Sequence, residues 1–93
     1  MIKITGNDVW RGGDKIGYIE ENRIYSHDGV RLGYFEGTHV YNKDADKTAY
    51  IENDHLINYT GGSSVSLETI NEKIQGGVLS EIGKCAIYVL LGS

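Results

Sequence analysis

The sequence predicts a mainly β fold of the α+β class, with four β-hairpins followed by one or two C-terminal helices. One segment recurs at a spacing of 16 residues, with copies that start at Lys15, Arg31 and Lys47. In each copy an apolar residue precedes another by five positions, which fits two strands joined by a two-residue turn. The apolar period becomes helical after a Gly- and Ser-rich segment at residues 60–64.

These observations divide the chain into two parts within one domain. Residues 1–59 form a four-hairpin repeat array, in which residues 1–10 are an atypical first copy. Residues 60–93 form a linker and a C-terminal helical segment that packs on the array. Repeats that cannot bury their own faces must stack together, and terminal copies tend to be atypical.

Each hairpin is predicted from an apolar pair and from the turn between its members. The pairs are Ile4 with Val9, Ile19 with Ile24, Phe35 with Val40, and Ile51 with Leu56. The turns are Gly6-Asn7, Glu21-Asn22, Gly37-Thr38 and Asn53-Asp54. A first-position Gly suits a type II′ turn and Asn-Asp tolerates the positive φ of type I′, so Glu21-Asn22 fits least well.

A second set of cross-strand pairs is predicted on the opposite face, because side chains alternate along a strand. These pairs are Lys3 with Trp10, Tyr18 with Tyr25, Tyr34 with Tyr41, and Tyr50 with Ile57. One face is therefore aliphatic and the other aromatic. The candidate binding residues on the aromatic face are Trp10, Tyr18, Tyr25, Tyr34, Tyr41 and Tyr50. We favour the interpretation that this aromatic face is a core covered by the C-terminal segments. The alternative is an exposed aromatic surface that binds a protein, a sugar or a base.

Small residues recur two positions before the first apolar residue of each regular copy. They are Gly17, Gly33 and Ala49, and Ile2 takes this place in the first copy. Glycine weakens a strand interior, so its recurrence indicates close backbone approach. We expect the hairpins to crowd toward a common axis at these positions.

A first C-terminal helix is predicted from apolar residues at helical spacing. These residues are Leu67, Ile70 and Ile74. Ser66 is the expected N-cap, and Val65 is placed to contact Ile70 in a hydrophobic staple. We expect Gly76-Gly77 to end the helix.

A second helix is predicted to begin after Ser80, with Gly92 as its C-cap. Its apolar face consists of Ile82, Cys85, Ala86, Val89 and Leu90. A competing interpretation makes residues 86–91 a buried strand, because β-branched residues are present. This apolar tail must be covered by the hairpins or by another subunit, so a homo-oligomer is one expectation.

The repeat also carries a family resemblance. The second copy reads Ile16-Gly17-Tyr18-Ile19-Glu20, then Arg23-Ile24-Tyr25, then Asp28-Gly29. This pattern, over about residues 1–59, resembles the repeat of the four-fold β-flower family, which consists of small bacterial and phage-associated proteins. The first copy departs from it, with Lys3 where Tyr is usual. The resemblance implies four hairpins around a pseudo-four-fold axis and supplies no reaction and no catalytic residues.

Charge and cysteine content narrow the function classes. The chain has 9 Lys and Arg against 13 Asp and Glu, a net charge of -4, which argues against nucleic-acid binding through a basic surface. The single Cys85 permits no intrachain disulfide, and its apolar context favours a buried structural thiol. The start resembles no signal peptide, and no apolar run reaches the roughly 18 residues of a membrane helix. We expect a cytoplasmic protein without a membrane partner.

Carboxylates face cationic or imidazole side chains beside three of the turns. The pairs are Glu20 with Arg23, Glu36 with His39, and Glu52 with His55. We favour exposed ion pairs; the alternative is a rim that responds to pH or binds a ligand, which makes His39 and His55 candidate binding residues. Residues 42–46 begin like a calcium loop but lack its Gly and distal Glu, so a polar turn is expected. Zinc-ligand spacing is absent, and we expect no cofactor.

The leading functional hypothesis is a non-enzymatic protein-interaction module with an unidentified protein partner. The repeated surfaces favour it, since the sequence shows no asymmetric polar cluster. Small size and the family resemblance suggest a phage or mobile-element protein that binds and blocks a host factor. Two alternatives remain: a small-molecule binding or sequestering protein that uses the Tyr-rich face or a subunit interface, and an enzyme that uses the His/Glu rim.

Overall fold

The computed structural model describes residues 2–77 and 79–91, and within them ten strands form one sheet with two short helices. The elements are β1 Ile2–Thr5, β2 Asp8–Arg11, β3 Asp14–Glu20, β4 Arg23–Ser26, β5 Arg31–Glu36, β6 His39–Asn42, β7 Lys47–Glu52, β8 His55–Asn58, β9 Ser64–Ser66, α1 Leu67–Lys73, β10 Ile74–Gly76 and α2 Glu81–Leu90. The strand order is β10-β1-β2-β3-β4-β5-β6-β7-β8-β9. The prediction of a mainly β, hairpin-rich α+β fold with C-terminal helices is confirmed.

All four predicted hairpins form with two-residue turns and the predicted registers. Asn53 and Asp54 have φ values of 51° and 62°, as a type I′ turn requires. Glu21 has a φ of 56° although it is not glycine. The pairing of Ile19 with Ile24 leaves only two residues for that turn, so register overrides local preference.

Successive hairpins contact one another in the same way each time. The second turn residue of each hairpin accepts a backbone hydrogen bond from a residue of the next unit, 2.8–2.9 Å away. The acceptors and donors are Asn7 and Ile19, Asn22 and Phe35, Thr38 and Ile51, and Asp54 and Leu67. The fourth of these bonds reaches the start of α1, which therefore stands where a fifth hairpin would.

The sheet is strongly curled. Ten strands spaced about 4.8 Å apart would span about 43 Å if flat. The longest dimension of the molecule is only 31 Å. Moreover, β9 and β10 are the two ends of the sheet, and the seven-residue helix α1, about 11 Å long, joins them directly. The two edges therefore approach each other, and the sheet has an inner and an outer face.

Helix α2 fills the inner face, where the aliphatic residues and the small residues lie. A Cβ on Gly33 would overlap the carbonyl oxygen of Tyr41 and lie 2.8 Å from Leu90 Cδ1. A Cβ on Gly17 would lie 2.9 Å from Leu91 Cδ1. The predicted close approach is confirmed, and its partners are the adjacent strand and α2.

The C-terminal part differs from the prediction in two strands. Ser66 caps α1 as predicted, but the helix ends at Lys73 and not at Gly76-Gly77. Ile74 enters β10, pairs with Ile2 of β1 and is fully buried, so the free edge of β1 outweighs the helical periodicity. At the other end, Ser64, the last residue of the predicted Gly- and Ser-rich linker, begins strand β9, Ser64–Ser66, which pairs with β8.

Residues 86–90 are helical, which decides against the competing strand interpretation, while the predicted cap Gly92 lies outside the described residues. The buried residues of α2 are Gly83, Cys85, Ala86 and Ile87. The predicted apolar face missed Gly83 and Ile87, because α2 is covered on two sides. The sheet lies on one side, and α1 lies on the other, where Lys84 Nζ donates to Asn71 Oδ1 at 3.3 Å.

Candidate functional site

The outer face of the sheet carries the predicted aromatic residues, and the helices do not cover it. Trp10 and the five predicted tyrosines are half-buried, and none belongs to the hydrophobic core or packs against it. Our favoured interpretation, a core covered by the C-terminal segments, is therefore wrong. The reason is that α2 packs on the face with the small residues, where a helix can approach the backbone. The aromatic side chains form a surface instead.

The tyrosines lie in flat, ordered pairs. Tyr18 stacks on Tyr25 with ring centroids 4.9 Å apart and planes 7° apart. Tyr34 stacks on Tyr41 at 4.7 Å and 9°. Each pair joins the two strands of one hairpin, so the hairpin register sets the stacking.

His39 continues this row into the fourth hairpin. Its ring lies 6.3 Å from that of Tyr41 and 6.0 Å from that of Tyr50. Tyr50 in turn lies 4.9 Å from Tyr59, which is half-exposed and which sequence reasoning missed because it follows the last predicted strand. We call this set the aromatic band: Trp10, Tyr18, Tyr25, Tyr34, His39, Tyr41, Tyr50 and Tyr59. His55 is not part of the band; its Nδ1 lies 2.8 Å from the carbonyl oxygen of Asn53.

Cationic side chains are interleaved with the band. Lys15 Nζ lies 5.4 Å from the ring centroid of Tyr18. Arg23 Nε donates to Tyr25 Oη at 3.1 Å, and Arg23 Nη2 donates to Glu20 Oε1 at 3.1 Å. The hydrogen bond to Tyr25, and after it the one to Glu20, raise the pKa of the Arg23 guanidinium.

Two clefts border the sheet. A cleft of about 360 Å³ opens between hairpins two and three beside the band; its lining residues are Asn22, Arg23, Arg31, Tyr34 and Ala45. A larger one of about 690 Å³ lies between hairpin four and the helices; its lining residues are Asp54, His55, Ser66, Leu67, Glu68, Asn71, Glu72, Gln75 and Glu81. Sequence reasoning missed the larger cleft because its carboxylates come from the fourth turn and from both helices.

No match was found for this chain among family models, curated proteins or solved structures. The resemblance to the four-fold β-flower family therefore stays a prediction from the repeat. Neither α1 nor α2 is long and apolar enough to cross a membrane. Any function must be argued from the geometry of the chain itself.

Of the three carboxylate pairs predicted beside the turns, the one with arginine forms and the two with histidine do not, within the described residues. Glu20 and Arg23 make the expected ion pair at 3.1 Å. Glu36 with His39 and Glu52 with His55 are in register, but within residues 2–77 and 79–91 neither pair comes within ion-pair distance. The described part of the chain thus offers two ion pairs beside these turns, those of Arg23 with Glu20 and Glu21, and no continuous rim.

The remaining predicted candidates have structural roles. Asn42 Oδ1 accepts from the backbone N–H groups of Asp44 and Asp46 at 2.9 and 3.0 Å, so residues 42–46 form the polar turn expected. Cys85 is fully buried, and burial, followed by the charge of Glu81, raises its pKa to about 12. Among the described residues, no three His, Cys, Asp or Glu side chains are grouped to hold a metal ion.

Proposed function

We propose that this protein is a non-enzymatic interaction module that binds a protein partner through the aromatic band. One observation carries the proposal: stacked, half-buried rings lie on the face of the sheet opposite to that on which α2 packs. Tyr, Trp and Arg are the side chains enriched at the centres of protein interfaces. The band supplies Tyr and Trp, with His39 between two of the tyrosines, and Arg23 lies beside it as the donor to Tyr25 Oη.

The order of the rings favours binding. A stacked tyrosine has already lost most of its side-chain freedom, so little further side-chain entropy is lost when a partner covers it. Tyr18 with Tyr25 and Tyr34 with Tyr41 are nearly parallel, at 7° and 9°. Their hydroxyl groups supply polar contacts beside the apolar ring faces.

The repeat adds a second argument. The same outward aromatic position recurs on consecutive hairpins, so the band presents several similar contact points in a row. Contact points joined in one rigid sheet reinforce one another, as linked binding modules do. In its most specific form, the proposal is that this chain is a phage or mobile-element protein. Its aromatic band would bind a host factor and block it.

The test compares the wild-type chain with a Tyr34→Ala/Tyr41→Ala variant in affinity capture from cell extract, followed by titration of the purified partner. Glu72→Ala is the matched control, since Glu72 lies in α1 and lines the larger cleft, outside the band. We expect the double variant to lose at least about tenfold in affinity, or about 1.4 kcal/mol, and the control to keep wild-type affinity. Equal capture by all three chains, or no specific partner of the wild-type chain, would contradict the proposal.

A further inference from the structure

The junctions between hairpins carry two outward positions whose residues differ from one junction to the next. The first position faces a tyrosine on the neighbouring strand, and the second faces an aromatic residue across the bulge. The two residues are Asp8 and Lys15 at the first junction, Arg23 and Arg31 at the second, and His39 and Lys47 at the third. The backbone repeats, so these side chains are what distinguishes the junctions.

The two outward positions carry opposite charges at the first junction and like charges at the second. Asp8 and Lys15 form an ion pair at 3.0 Å. At the second junction both positions are arginines. Arg23 Nη2 lies 3.1 Å from Glu20 Oε1 and 3.9 Å from Glu21 Oε1. In the described part of the chain no carboxylate lies within ion-pair distance of Arg31.

The second junction is also where the smaller cleft opens. Arg23, Arg31 and Tyr34 line it, and no acidic residue does. Its volume of about 360 Å³ lies within the range of small-ligand sites, which is about 300–1,000 Å³. A cleft lined by two arginines, an asparagine, a tyrosine and an alanine, in a protein of net charge -4, is suited to an anion.

Two of the lining side chains, Arg23 and Tyr34, are preorganised. Arg23 is held by Tyr25 Oη and Glu20 Oε1, both at 3.1 Å. Tyr34 is held by stacking on Tyr41 at 4.7 Å. A ligand therefore meets a guanidinium and a ring that are already in place, which lowers the entropic cost of binding.

We propose that the cleft formed by Arg23, Arg31 and Tyr34 binds a small organic phosphate with a flat ring, of the nucleoside monophosphate class. Guanidinium groups match the geometry of phosphate oxygens and bind them through paired N–H donors. Tyr34 offers an aromatic ring for the base. Two arginines suffice for one phosphate, whereas a polymer of phosphates would meet the negative charge of the whole molecule. The site shares Tyr34 with the aromatic band, but its test uses the purified chain alone and needs no protein partner.

The test is a titration of the purified chain, by NMR or calorimetry at low salt, with adenosine monophosphate, adenosine and inorganic phosphate. We expect adenosine monophosphate to bind with a Kd below about 1 mM, and more tightly than either fragment. Arg23→Gln and Arg31→Gln should each weaken binding at least about tenfold. Lys47→Gln, the equivalent of Arg31 at the third junction, is the matched control and should leave the Kd within about twofold.

Several outcomes would overturn the proposal. They are a Kd for the monophosphate above about 1 mM, equal binding of adenosine, and equal loss in Lys47→Gln and Arg31→Gln. Tyr34→Leu separates the ring from the charge: it should weaken the monophosphate and leave inorganic phosphate unchanged. Inorganic phosphate that binds as tightly as the monophosphate would remove the role of the ring and refute the ligand class. All chains are compared by thermal melting, so a folding defect is recognised.

Discussion

At the residue scale, Gly33 is a position at which a hairpin strand packs closely against both its neighbouring strand and α2. Its missing side chain lets β5 approach the carbonyl oxygen of Tyr41 and lets Leu90 of α2 lie on the sheet. The recurrence of Gly at this place in the sequence predicted close approach correctly. It did not reveal that a C-terminal helix would be the partner, because that contact joins residues far apart in the chain.

We expect Gly33→Ala to destabilise the protein by about 1–3 kcal/mol, because the added methyl group must displace backbone and not only a flexible side chain. Gly13→Ala is the matched control, since a Cβ there would meet nothing within 4 Å. Its effect should stay within about 1 kcal/mol and is expected to be slightly stabilising. Urea unfolding of both variants measures the free energies. Equal stability of the two variants would show that Gly33 is not confined.

Cys85 provides a second test at this scale, through its raised pKa. The folded pKa of about 12 lies above the ordinary value of 9.0, so the native protein retains a proton that the unfolded chain loses between these values. The stability from this group is therefore complete below pH 9 and falls as the pH rises toward 12. We expect iodoacetamide to label Cys85 at pH 8 only after unfolding in urea. Rapid labelling of the native protein would contradict the burial.

At the element scale, α1 closes the curled sheet, because it joins β9 and β10 at the two sheet edges. Local signals predicted its start at Ser66, whose hydroxyl accepts from Thr69 N at 3.2 Å. They placed its end too late, since Ile74 fits both a helical period and a buried edge strand. The two strands of a hairpin are close in sequence, so all four hairpins could be predicted. Strand β10 instead pairs with the edge strand β1, and β9 with β8, and these pairings are not visible in the local sequence.

Loss of the α1 N-cap should lower the free energy of unfolding of the whole protein. Ser66→Ala removes the acceptor for Thr69 N and should cost about 1 kcal/mol, with a range of about 0.5–2 kcal/mol. Ser64→Ala, at the exposed first residue of β9, is the matched control and should change stability by less than about 0.5 kcal/mol. Denaturation monitored by circular dichroism measures both. A neutral Ser66→Ala would mean that α1 does not need its cap.

At the scale of the whole molecule, the deciding feature is which face of the sheet is covered. Alternation in the sequence predicts one aliphatic and one aromatic face but does not say which receives the helices. Packing decides it: the small residues admit α2, and the aromatic band is left at the surface. For the same reason the cleft with Arg23 and Arg31 could not be predicted, since it depends on how hairpins two and three meet.

This assignment of faces predicts unequal costs for truncating the two kinds of side chain. Ile87 of α2 is fully buried on the inner face, so Ile87→Ala should cost about 2–5 kcal/mol. Tyr34 lies on the outer face, where its ring stacks on Tyr41. Tyr34→Ala therefore removes that stacking, worth about 0.5–1.5 kcal/mol, together with a modest buried area. Urea unfolding ranks the two variants. If Tyr34→Ala proves as costly as Ile87→Ala, the outer face is itself a core, and a partner would have no aromatic surface to bind.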